Sequence, residues 1–394
     1  MIPAQRLNEV QEYYFSRKLK EVAALNAEGK GIISLAIGSP DMPPSQATIE
    51  RLCEVAHDPT AHGYQPTMGT PELRTAMANF YQRWFDVTLD PKSEVLPLIG
   101  SKEGILHVTL AFVNPGDKVL VPNPGYPTYT SLSKLLGATI VNYDLREENG
   151  YQPDFDQLEK MDTTGVKLMW VNYPNMPTGA PAQRETYERL VNFARQRDIV
   201  IVNDNPYSFI LGREHLSILQ IPGAKDCCIE FNSMSKSHNM PGWRVGMLAT
   251  NAEFCSWILK VKSNIDSGTF RAIQLAAATA YDNDDEWHNT YNINLYSRRR
   301  ALAEEIMTTL GCTFNPKQVG MFLWGRIPDD IPDDCPGYAA PAEVITERVL
   351  HEARVFITPG FIFGSNGNRY VRISLCANEE KLQQALTRIR QIWN

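Results

Sequence analysis

The sequence predicts an α/β protein whose larger part is a mostly parallel β-sheet flanked by helices. Between about residues 94 and 250, short runs of β-branched and other apolar residues alternate with longer segments of helical spacing. Parallel neighbours need a crossover connection, usually a helix, so this alternation favours a parallel sheet. The chain also has 394 residues, 43% of them hydrophobic, which is more than one core usually absorbs. We therefore expect a second, smaller domain of α+β type.

The elements can be assigned in order along the chain. An N-terminal helix is predicted because apolar residues recur near helical spacing until Gly29 and Gly31 end the pattern. Helices are expected at 102–113, at 182–197 and over most of 251–310, and strands in EVLPLIG, KVLVP, TIVNY, KLMWVNY, DIVIVN and CCIEFN. Pro97, in the first of these runs, fits a central strand poorly because it cannot donate to a strand ladder.

The expected domain organisation has three parts. Residues 1–45 form an N-terminal arm and part of the small domain, residues 46–290 form the large domain, and residues 291–394 form the small C-terminal domain. The last segment returns to strands and helices after the helical stretch, which is why we place the second domain there.

The composition excludes several kinds of partner. Lys and Arg total 38 against 45 Asp and Glu, a net charge of -7 without long like-charge runs, so no nucleic acid partner is expected. No membrane partner is expected either, because no apolar run could cross a bilayer and the N-terminus lacks a signal-peptide core. The seven cysteines show no C-x-x-C spacing, which predicts no metal site and favours a reducing cytoplasm.

Polar and aromatic residues follow successive predicted strands. In an open α/β sheet, ligands bind outside the carboxyl ends of the strands. Ser101 and Lys102 open a helix at such an end, where free backbone N–H groups suit a phosphate. The other residues that follow strands in this way are Tyr126, Asp204, Tyr207, Ser233, Lys236 and Arg244. Each has an ordinary structural explanation by itself, but their repetition at strand ends indicates one site.

Together these residues match the needs of pyridoxal 5'-phosphate. Lysine has the only side-chain amine that can form an imine with the cofactor's aldehyde, so Lys236 is the candidate for that bond. An anionic Asp204 would keep the pyridine nitrogen protonated, and the planar fork of Arg244 would hold the phosphate. The released Lys236 amine would move the α-proton of an amino acid, which requires burial and nearby cations to lower its pKa.

At this point the sequence resembles a known family. S-x-S-K followed by G-x-R-x-G, here SMSK at 233–236 and GWRVG at 242–246, resembles the fold-type I pyridoxal-phosphate enzymes of the class I/II aminotransferases. The resemblance runs from LAIGSPDMP at about 35 to YVRISL at about 375. It implies a seven-stranded sheet in the large domain, a homodimer with shared active sites, and amino acid and 2-oxo acid substrates.

The resemblance also implies a role for each cofactor ligand. Lys236 forms the imine, Asp204 pairs with the pyridine nitrogen, and Tyr207 donates to the ring 3'-oxygen. Tyr126 stacks on the ring, and Tyr64, in HGYQPTMG, reaches the phosphate of the neighbouring subunit. The remaining phosphate ligands implied are Ser101, Lys102, Ser233 and Arg244.

Substrate recognition is only partly implied. Arg372 in RYVRIS matches the arginine that clamps the substrate α-carboxylate, helped by the backbone of Gly38. PLIGSKEGILHVTLAFVNPGDKVLVPNPGYPTY and SNIDSGTF look most like LL-diaminopimelate aminotransferases and the aspartate or alanine aminotransferases near them. The sequence does not identify the amino donor or the 2-oxo acid acceptor. Arg271 and residues 298–300 are candidates to bind a distal carboxylate of the substrate.

One turn departs from the family pattern. The family has Asn-Pro-Thr-Gly, whose asparagine donates to the ring 3'-oxygen, whereas this chain has Met176 before Pro-Thr-Gly and Asn175 one place early. Asn175 is the candidate cofactor ligand here, yet an offset of one residue in a turn usually points a side chain elsewhere. We therefore expect the 3'-oxygen to keep Tyr207 but to lose its second donor, with the Met176 thioether near the ring edge.

Three functions are compatible with such a site. The expected one is a ping-pong aminotransferase, which moves an α-amino group to a 2-oxo acid. The second is a C–S β-lyase acting on cystathionine or cysteine, because one fold supports several outcomes. The third is a non-catalytic pyridoxal-phosphate sensor fused to a DNA-binding module, which is not expected because the N-terminal arm, about thirty residues, is shorter than such a module.

Overall fold

Residues 1–10 and 14–393 are described by a computed structural model. The strands are β1 (Ile33–Ser34), β2 (Val95–Leu98), β3 (Lys118–Asn123), β4 (Thr139–Asp144), β5 (Val166–Val171), β6 (Val200–Asp204), β7 (Cys228–Ser233), β8 (Gly246–Ala249), β9 (Phe322–Arg326), β10 (Val355–Phe356), β11 (Thr358–Pro359) and β12 (Tyr370–Ser374). Seven of these strands form a central sheet in the order β2-β8-β7-β6-β5-β3-β4.

The central sheet is parallel except at one side. Neighbouring strands run parallel from β4 through β3, β5 and β6 to β7, whereas β8 pairs antiparallel with both β7 and β2. β2 lies at the edge of the sheet, which explains why Pro97 is tolerated in it: an edge strand leaves one row of backbone groups unpaired.

Two smaller sheets lie in the outer parts of the sequence. β9, β11 and β12 form an antiparallel sheet with β12 in the middle, and β1 pairs in parallel with β10. The second pairing joins Ile33 and Ser34 to Val355 and Phe356, so residues from both halves of the chain share one sheet. The domain boundaries given above stay a prediction.

Helices flank the sheets. They are α1 (Tyr14–Ala27), α2 (Gln46–Ala56), α3 (Pro71–Phe85), α4 (Ser101–Phe112), α5 (Pro127–Leu135), α6 (Phe155–Lys160), α7 (Arg184–Arg197), α8 (Met234–Ser237), α9 (Ala252–Lys262), α10 (Arg271–Asp282), α11 (Ile293–Thr309), α12 (Pro341–His351) and α13 (Glu379–Trp393). A π-helix, Trp287–Asn292, leads into α11.

Hydrophobic cores cover both faces of the central sheet. Along β3, Val119 and Val121 belong to one buried cluster, while Leu120 belongs to a larger one. Successive side chains of a strand point to opposite faces, so the sheet has apolar packing on each side.

The predicted fold class is confirmed. The sheet has the seven strands implied by the resemblance and is mostly parallel. The helices expected at 102–113 and 182–197 are α4 and α7, each shifted by one or two residues at its start. β8 was not predicted from the sequence; its four residues directly follow the loop that carries the lysine and arginine motif. No helix in residues 1–10 and 14–393 is both long and apolar enough to cross a membrane.

Candidate active site

A cavity of about 470 Å³ lies at the carboxyl ends of the central strands. Residues that follow β2, β3, β5, β6 and β7 line it, together with residues of α1 and β12. The predicted site residues found in its walls are Gly38, Ser101, Lys102, Tyr126, Asp204, Tyr207, Ser233, Lys236, Arg244 and Arg372. The fold thus brings together every predicted site residue except Asn175 and Tyr64.

Lys236 is presented by α8, a one-turn helix (Met234–Ser237) that begins directly after β7. Its side chain donates a hydrogen bond to the Gly38 carbonyl. Burial lowers the pKa of the Lys236 amine, and the charges of Arg372 and Arg244 lower it further. An amine in this setting gives up its proton more readily than a solvated lysine, which a general base requires.

The turn that carries Lys236 is tied to the π-helix. The carbonyl of Ser237 accepts hydrogen bonds from Trp287 Nε1 at 2.7 Å and from Asn292 Nδ2 at 2.8 Å. These two donors lie at the two ends of the π-helix, so the backbone next to Lys236 is fixed to the segment that begins α11. π-Helical turns often occur at functional sites, and this one holds the catalytic turn.

Asp204 ends β6 and is 5% exposed. Its Oδ2 accepts a hydrogen bond from Tyr129 Oη at 2.9 Å, whereas its Oδ1 is buried and receives none from the described part of the chain. Burial raises the pKa of Asp204 to about 6, against the lowering effects of the Tyr129 hydrogen bond, the neighbouring Ser101 hydroxyl and the Lys236 charge. The free oxygen of a buried carboxylate needs a cationic or N–H partner.

Gly100 and Arg244 form an anion cradle at the start of α4. Gly100 precedes the helix with φ +89° and offers no side-chain cap, and a helix start of this kind suits an anion. A Cβ at Gly100 would lie 2.3 Å from Arg244 Nη2, so only glycine lets the guanidinium approach this turn. Two backbone carbonyls hold that guanidinium, and Ser233 lines the same cavity.

Tyr207 and Tyr126 also line the cavity, and each has its phenol in the neutral form. Burial raises the pKa of the Tyr207 hydroxyl, and the nearby Asp204 charge raises it further. Burial likewise raises the pKa of Tyr126, which immediately precedes α5. Both hydroxyls therefore keep their protons at neutral pH and can donate hydrogen bonds.

Arg372 lies in β12 and is 4% exposed. Its Nη2 donates to the Ala36 carbonyl at 2.8 Å, and its Nη1 contacts Met176 Sδ at 3.3 Å. The guanidinium carbon stands 3.9 Å from the centre of the Phe322 ring, a cation–π contact that orients it. Gly38 packs beside that ring, since an added Cβ would lie 2.4 Å from Phe322 Cζ. A planar cation held in this way suits a carboxylate.

Two predicted residues lie outside the cavity. Asn175 is buried in its own turn, where Nδ2 donates to the Asn172 carbonyl at 3.2 Å and Oδ1 accepts from Thr178 Oγ1 at 2.7 Å. This corrects the prediction that Asn175 is a cofactor ligand, because both ends of its amide are used within the turn. Tyr64 is 96% exposed on the surface, and its expected role in a neighbouring subunit stays a prediction.

The arginines proposed for a distal carboxylate have other partners. Arg298 pairs with Glu379, Arg299 with Asp41 and Arg300 with Glu304, and none of the three lines the cavity. Arg271 lies 3.7 Å from Asp58 and is likewise absent from the walls. The structure therefore does not bring these arginines to the site.

Several residues of the cavity walls carried no role in the sequence-based prediction. Met176 was expected near the cofactor and does line the cavity, but Asn172, Phe322 and Tyr129 were not singled out. Asn172 and Tyr129 each stand within a few residues of a strand end, so the rule that selected Tyr126 could have found them. Phe322 carried no such signal, because it comes from another sheet.

The walls fit pyridoxal 5'-phosphate. The unpartnered Asp204 Oδ1 matches a protonated pyridine nitrogen, and the cradle of Gly100 and Arg244 matches a phosphate. Lys236, which lines the same cavity, would supply the amine for the aldehyde.

Comparisons with known proteins agree with this geometry. The family model for aminotransferase class I and II matches residues 30–389. The LL-diaminopimelate aminotransferase of Oleidesulfovibrio alaskensis is 41% identical, covering 99% of this chain and 98% of its own. That of Dehalococcoides mccartyi is 38% identical, covering 98% and 97%.

Solved structures are similar over the whole chain. Substrate-bound BacF from Bacillus subtilis has a TM-score of 0.92 with 32% identity and covers 100% of this chain and 98% of its own. An aspartate aminotransferase mutant from Thermus thermophilus has a TM-score of 0.90 with 26% identity and covers 100% of both chains.

The fold and the cavity define an enzyme that uses pyridoxal phosphate to handle amino groups. The chain belongs to the class I and II aminotransferases. It transfers an α-amino group to a 2-oxo acid with pyridoxal 5'-phosphate as its cofactor, and its relatives support this activity over a C–S β-lyase.

Proposed function

We propose that this aminotransferase takes LL-diaminopimelate as its amino donor. The observation that carries the proposal is the name shared by the similar proteins of Oleidesulfovibrio alaskensis and Dehalococcoides mccartyi, which align over nearly their full length. The Arg372 guanidinium supports an α-amino acid substrate. Its cation–π and carbonyl contacts hold a planar cation in the cavity wall, and such a cation pairs well with a substrate carboxylate.

In this proposal each residue has a defined task. The bound cofactor supplies an aldehyde that reacts with amines and a ring that withdraws electrons. Lys236 Nζ holds the cofactor in the resting enzyme and takes the α-proton of the substrate once it is released. Asp204 Oδ1 holds the ring nitrogen, Tyr207 Oη donates to the 3'-oxygen, and Tyr126 lies against the ring. Gly100 and Arg244, with Ser101, Lys102 and Ser233, hold the phosphate.

The donor is tested by the half-reaction. The visible absorption of the holoenzyme is recorded while LL-diaminopimelate, meso-diaminopimelate, glutamate, aspartate, alanine and cystathionine are added one at a time without a 2-oxo acid. We expect LL-diaminopimelate to convert the cofactor stoichiometrically from its aldehyde to its amine form, and 2-oxoglutarate to restore it. Lys236→Ala serves as the control, because it loses the base and we expect no conversion.

Two results would contradict the proposal. An unchanged spectrum with LL-diaminopimelate, alongside conversion by another amino acid, would rule out LL-diaminopimelate as the amino donor. The aminotransferase activity itself would still stand. Ammonia released from cystathionine without any 2-oxo acid would revive the lyase alternative instead.

We further propose that two copies of the chain form a homodimer with shared active sites. Tyr64 lies fully on the surface, and Phe270 and Ile265 are also exposed, at 37% and 50%. Gln65 forms a bridge with Gly268, so these apolar side chains belong to one region of the surface. Exposed apolar patches of this kind mark interaction surfaces, and a partner there would bring Tyr64 near a second subunit.

We also propose that the enzyme works in the cytoplasm. All seven cysteines are free thiols, as a reducing compartment maintains them.

A further inference from the structure

Tyr129 is a fully buried residue whose hydroxyl contacts Asp204. It lies in α5 (Pro127–Leu135), is 1% exposed, and donates from Oη to Asp204 Oδ2 at 2.9 Å. Its ring is stacked on Trp170, with 5.0 Å between the ring centres and an angle of 2° between the planes. Tyr126 meets the same ring edge-on, at 5.5 Å and 87°. Packing on two sides fixes the ring and therefore the direction of its hydroxyl.

The contact leaves Asp204 with two different oxygens. Oδ2 is occupied by Tyr129, while Oδ1 is buried and has no hydrogen-bond donor within the described ranges of the chain. A carboxylate free to rotate would spread its charge over many directions, but one anchored by Oδ2 presents Oδ1 in a single direction. That oxygen belongs to a residue of the cavity wall.

We propose that Tyr129 is the positioning residue of Asp204, holding one carboxylate oxygen so that the other meets the protonated ring nitrogen of the cofactor. The inference rests on the proposed placement of the cofactor. Through its contact with Tyr126, the same ring also sets the side chain that lies against the cofactor ring.

The protonation states of Tyr129 and Asp204 agree with this role. Burial raises the pKa of the Tyr129 hydroxyl far above its usual value and the Asp204 charge raises it further, so the hydroxyl always donates. The same hydrogen bond lowers the pKa of Asp204, as the Ser101 hydroxyl and the Lys236 charge also do, whereas burial alone would raise it further than about 6. Tyr129 therefore keeps Asp204 anionic over more of the neutral pH range, and an anionic partner keeps the ring nitrogen protonated.

The test uses Tyr129→Phe, which keeps the ring packing and removes only the hydroxyl. The dissociation constant of pyridoxal 5'-phosphate is measured by dilution and dialysis of the holoenzyme. We expect an increase of roughly tenfold to a hundredfold, the range for losing a hydrogen bond to a charged group. The matched control is Tyr143→Phe, because Tyr143 is also buried in this sheet but donates to the Trp170 carbonyl at 2.7 Å. We expect that control to bind the cofactor as the wild type does.

A cofactor analogue separates positioning from packing. In an analogue whose ring nitrogen is replaced by carbon, Asp204 has no ring N–H to hold, so wild type and Tyr129→Phe should bind it equally. The pH dependence gives a second readout: on acidification, the affinity of Tyr129→Phe for the natural cofactor should begin to fall at a higher pH than that of the wild type, because its Asp204 is protonated earlier.

Three outcomes decide between the inferences. If Tyr129→Phe binds the natural cofactor like the wild type, or loses as much affinity for the analogue as for the cofactor, Tyr129 does not position Asp204. Asp204→Asn tests the underlying site: a wild-type affinity in that variant overturns the placement of the cofactor itself. A loss of affinity in Asp204→Asn without one in Tyr129→Phe overturns only the role of Tyr129.

Discussion

Met176 occupies the position in its turn where the family pattern has an amide, and the residues around it do not replace that amide. Asn172 Nδ2 donates to the Asp204 carbonyl at 2.5 Å, and Asn172 Oδ1 accepts from the Met176 backbone N–H at 2.7 Å. The Asn175 amide is used within the turn. The Met176 thioether instead contacts Arg372 at 3.3 Å. With the cofactor bound as proposed, Tyr207, which lines the cavity, would be the hydroxyl that donates to the ring 3'-oxygen.

This arrangement predicts a shifted protonation of the imine between Lys236 and the cofactor. A second donor to the phenolate at the 3'-position would compete with the imine proton, so Met176→Asn should lower the imine pKa relative to the wild type. The measurement is a spectral titration of both holoenzymes. Met176→Leu is the control, since it supplies no donor and should keep the wild-type value. An unchanged or higher pKa in Met176→Asn would refute the explanation.

Much of the site could be predicted from the sequence because its ligands follow strands directly. Asp204 and Ser233 are the last residues of β6 and β7, and parallel strands end at the same edge. Tyr129 could not be assigned a role in this way, because its contact with Asp204 depends on how α5 rotates against the sheet. The direction of Asn175 depends on the conformation of one turn, which the spacing of residues does not set.

His288, in the π-helix, belongs to a cluster of buried titratable groups near the site. His288 Nε2 lies 3.4 Å from Asp284 Oδ2, and His238 Nε2, two residues after Lys236, lies 3.7 Å from the same oxygen. Arg83 also donates to Asp284, at 2.6 Å. The His288 ring is stacked on Phe209 at 4.1 Å and is 2% exposed.

His288 should make stability depend on pH. Burial lowers its pKa to about 3, with the His238 and His215 charges adding to the effect, while an unfolded histidine titrates at about 6.5. Between these values the unfolded chain binds the extra proton, so stability falls as pH falls below about 6.5. We expect His288→Gln to flatten the dependence of the free energy of unfolding on pH between 7 and 5 by up to about 1.4 kcal/mol per pH unit.

The measurement is urea unfolding at fixed protein and cofactor concentrations. The Asp284 carboxyl does not contribute to the pH dependence between 7 and 5. Its contacts hold its pKa below the normal range, so it titrates outside this window. His57→Gln is the matched control, since His57 is exposed and its removal should leave the slope unchanged. Equal slopes in wild type and His288→Gln would contradict the prediction.

At the level of elements, the sequence predicted strands better than their pairing. Six strands of the central sheet stood out as apolar runs, and five of them, all but β4, are buried on both faces. β8 has only four residues and directly follows the loop that carries Lys236 and Arg244. Its apolar run is therefore too short to be distinguished from that loop in the sequence. Its antiparallel direction depends on tertiary pairing with β2 and β7, which are far apart in sequence.

The whole molecule, as proposed, is a pair of chains in which each active site takes Tyr64 from the partner chain. Within one chain, Lys236 and Arg244 share the cavity while Tyr64 lies outside it. This division between subunits can be tested by combining two defective chains.

Coexpression of differently tagged Tyr64→Ala and Lys236→Ala chains should restore activity. In the mixed dimer, one site combines Lys236 of the first chain with Tyr64 of the second, so about half of the wild-type activity per dimer is expected. Arg244→Ala mixed with Lys236→Ala is the control: both residues serve the same site, so neither site is intact. Activity of the first mixture no higher than that of the second would show that Tyr64 does not act across subunits.

The carbonyl of Ser237 receives hydrogen bonds from both ends of the π-helix, one residue after Lys236. The backbone next to Lys236 is therefore coupled by hydrogen bonds to the segment that leads into α11. A shift of α11 would reach Lys236 through these two hydrogen bonds, whereas Phe322 and Arg372, which also follow residue 292, line the cavity directly.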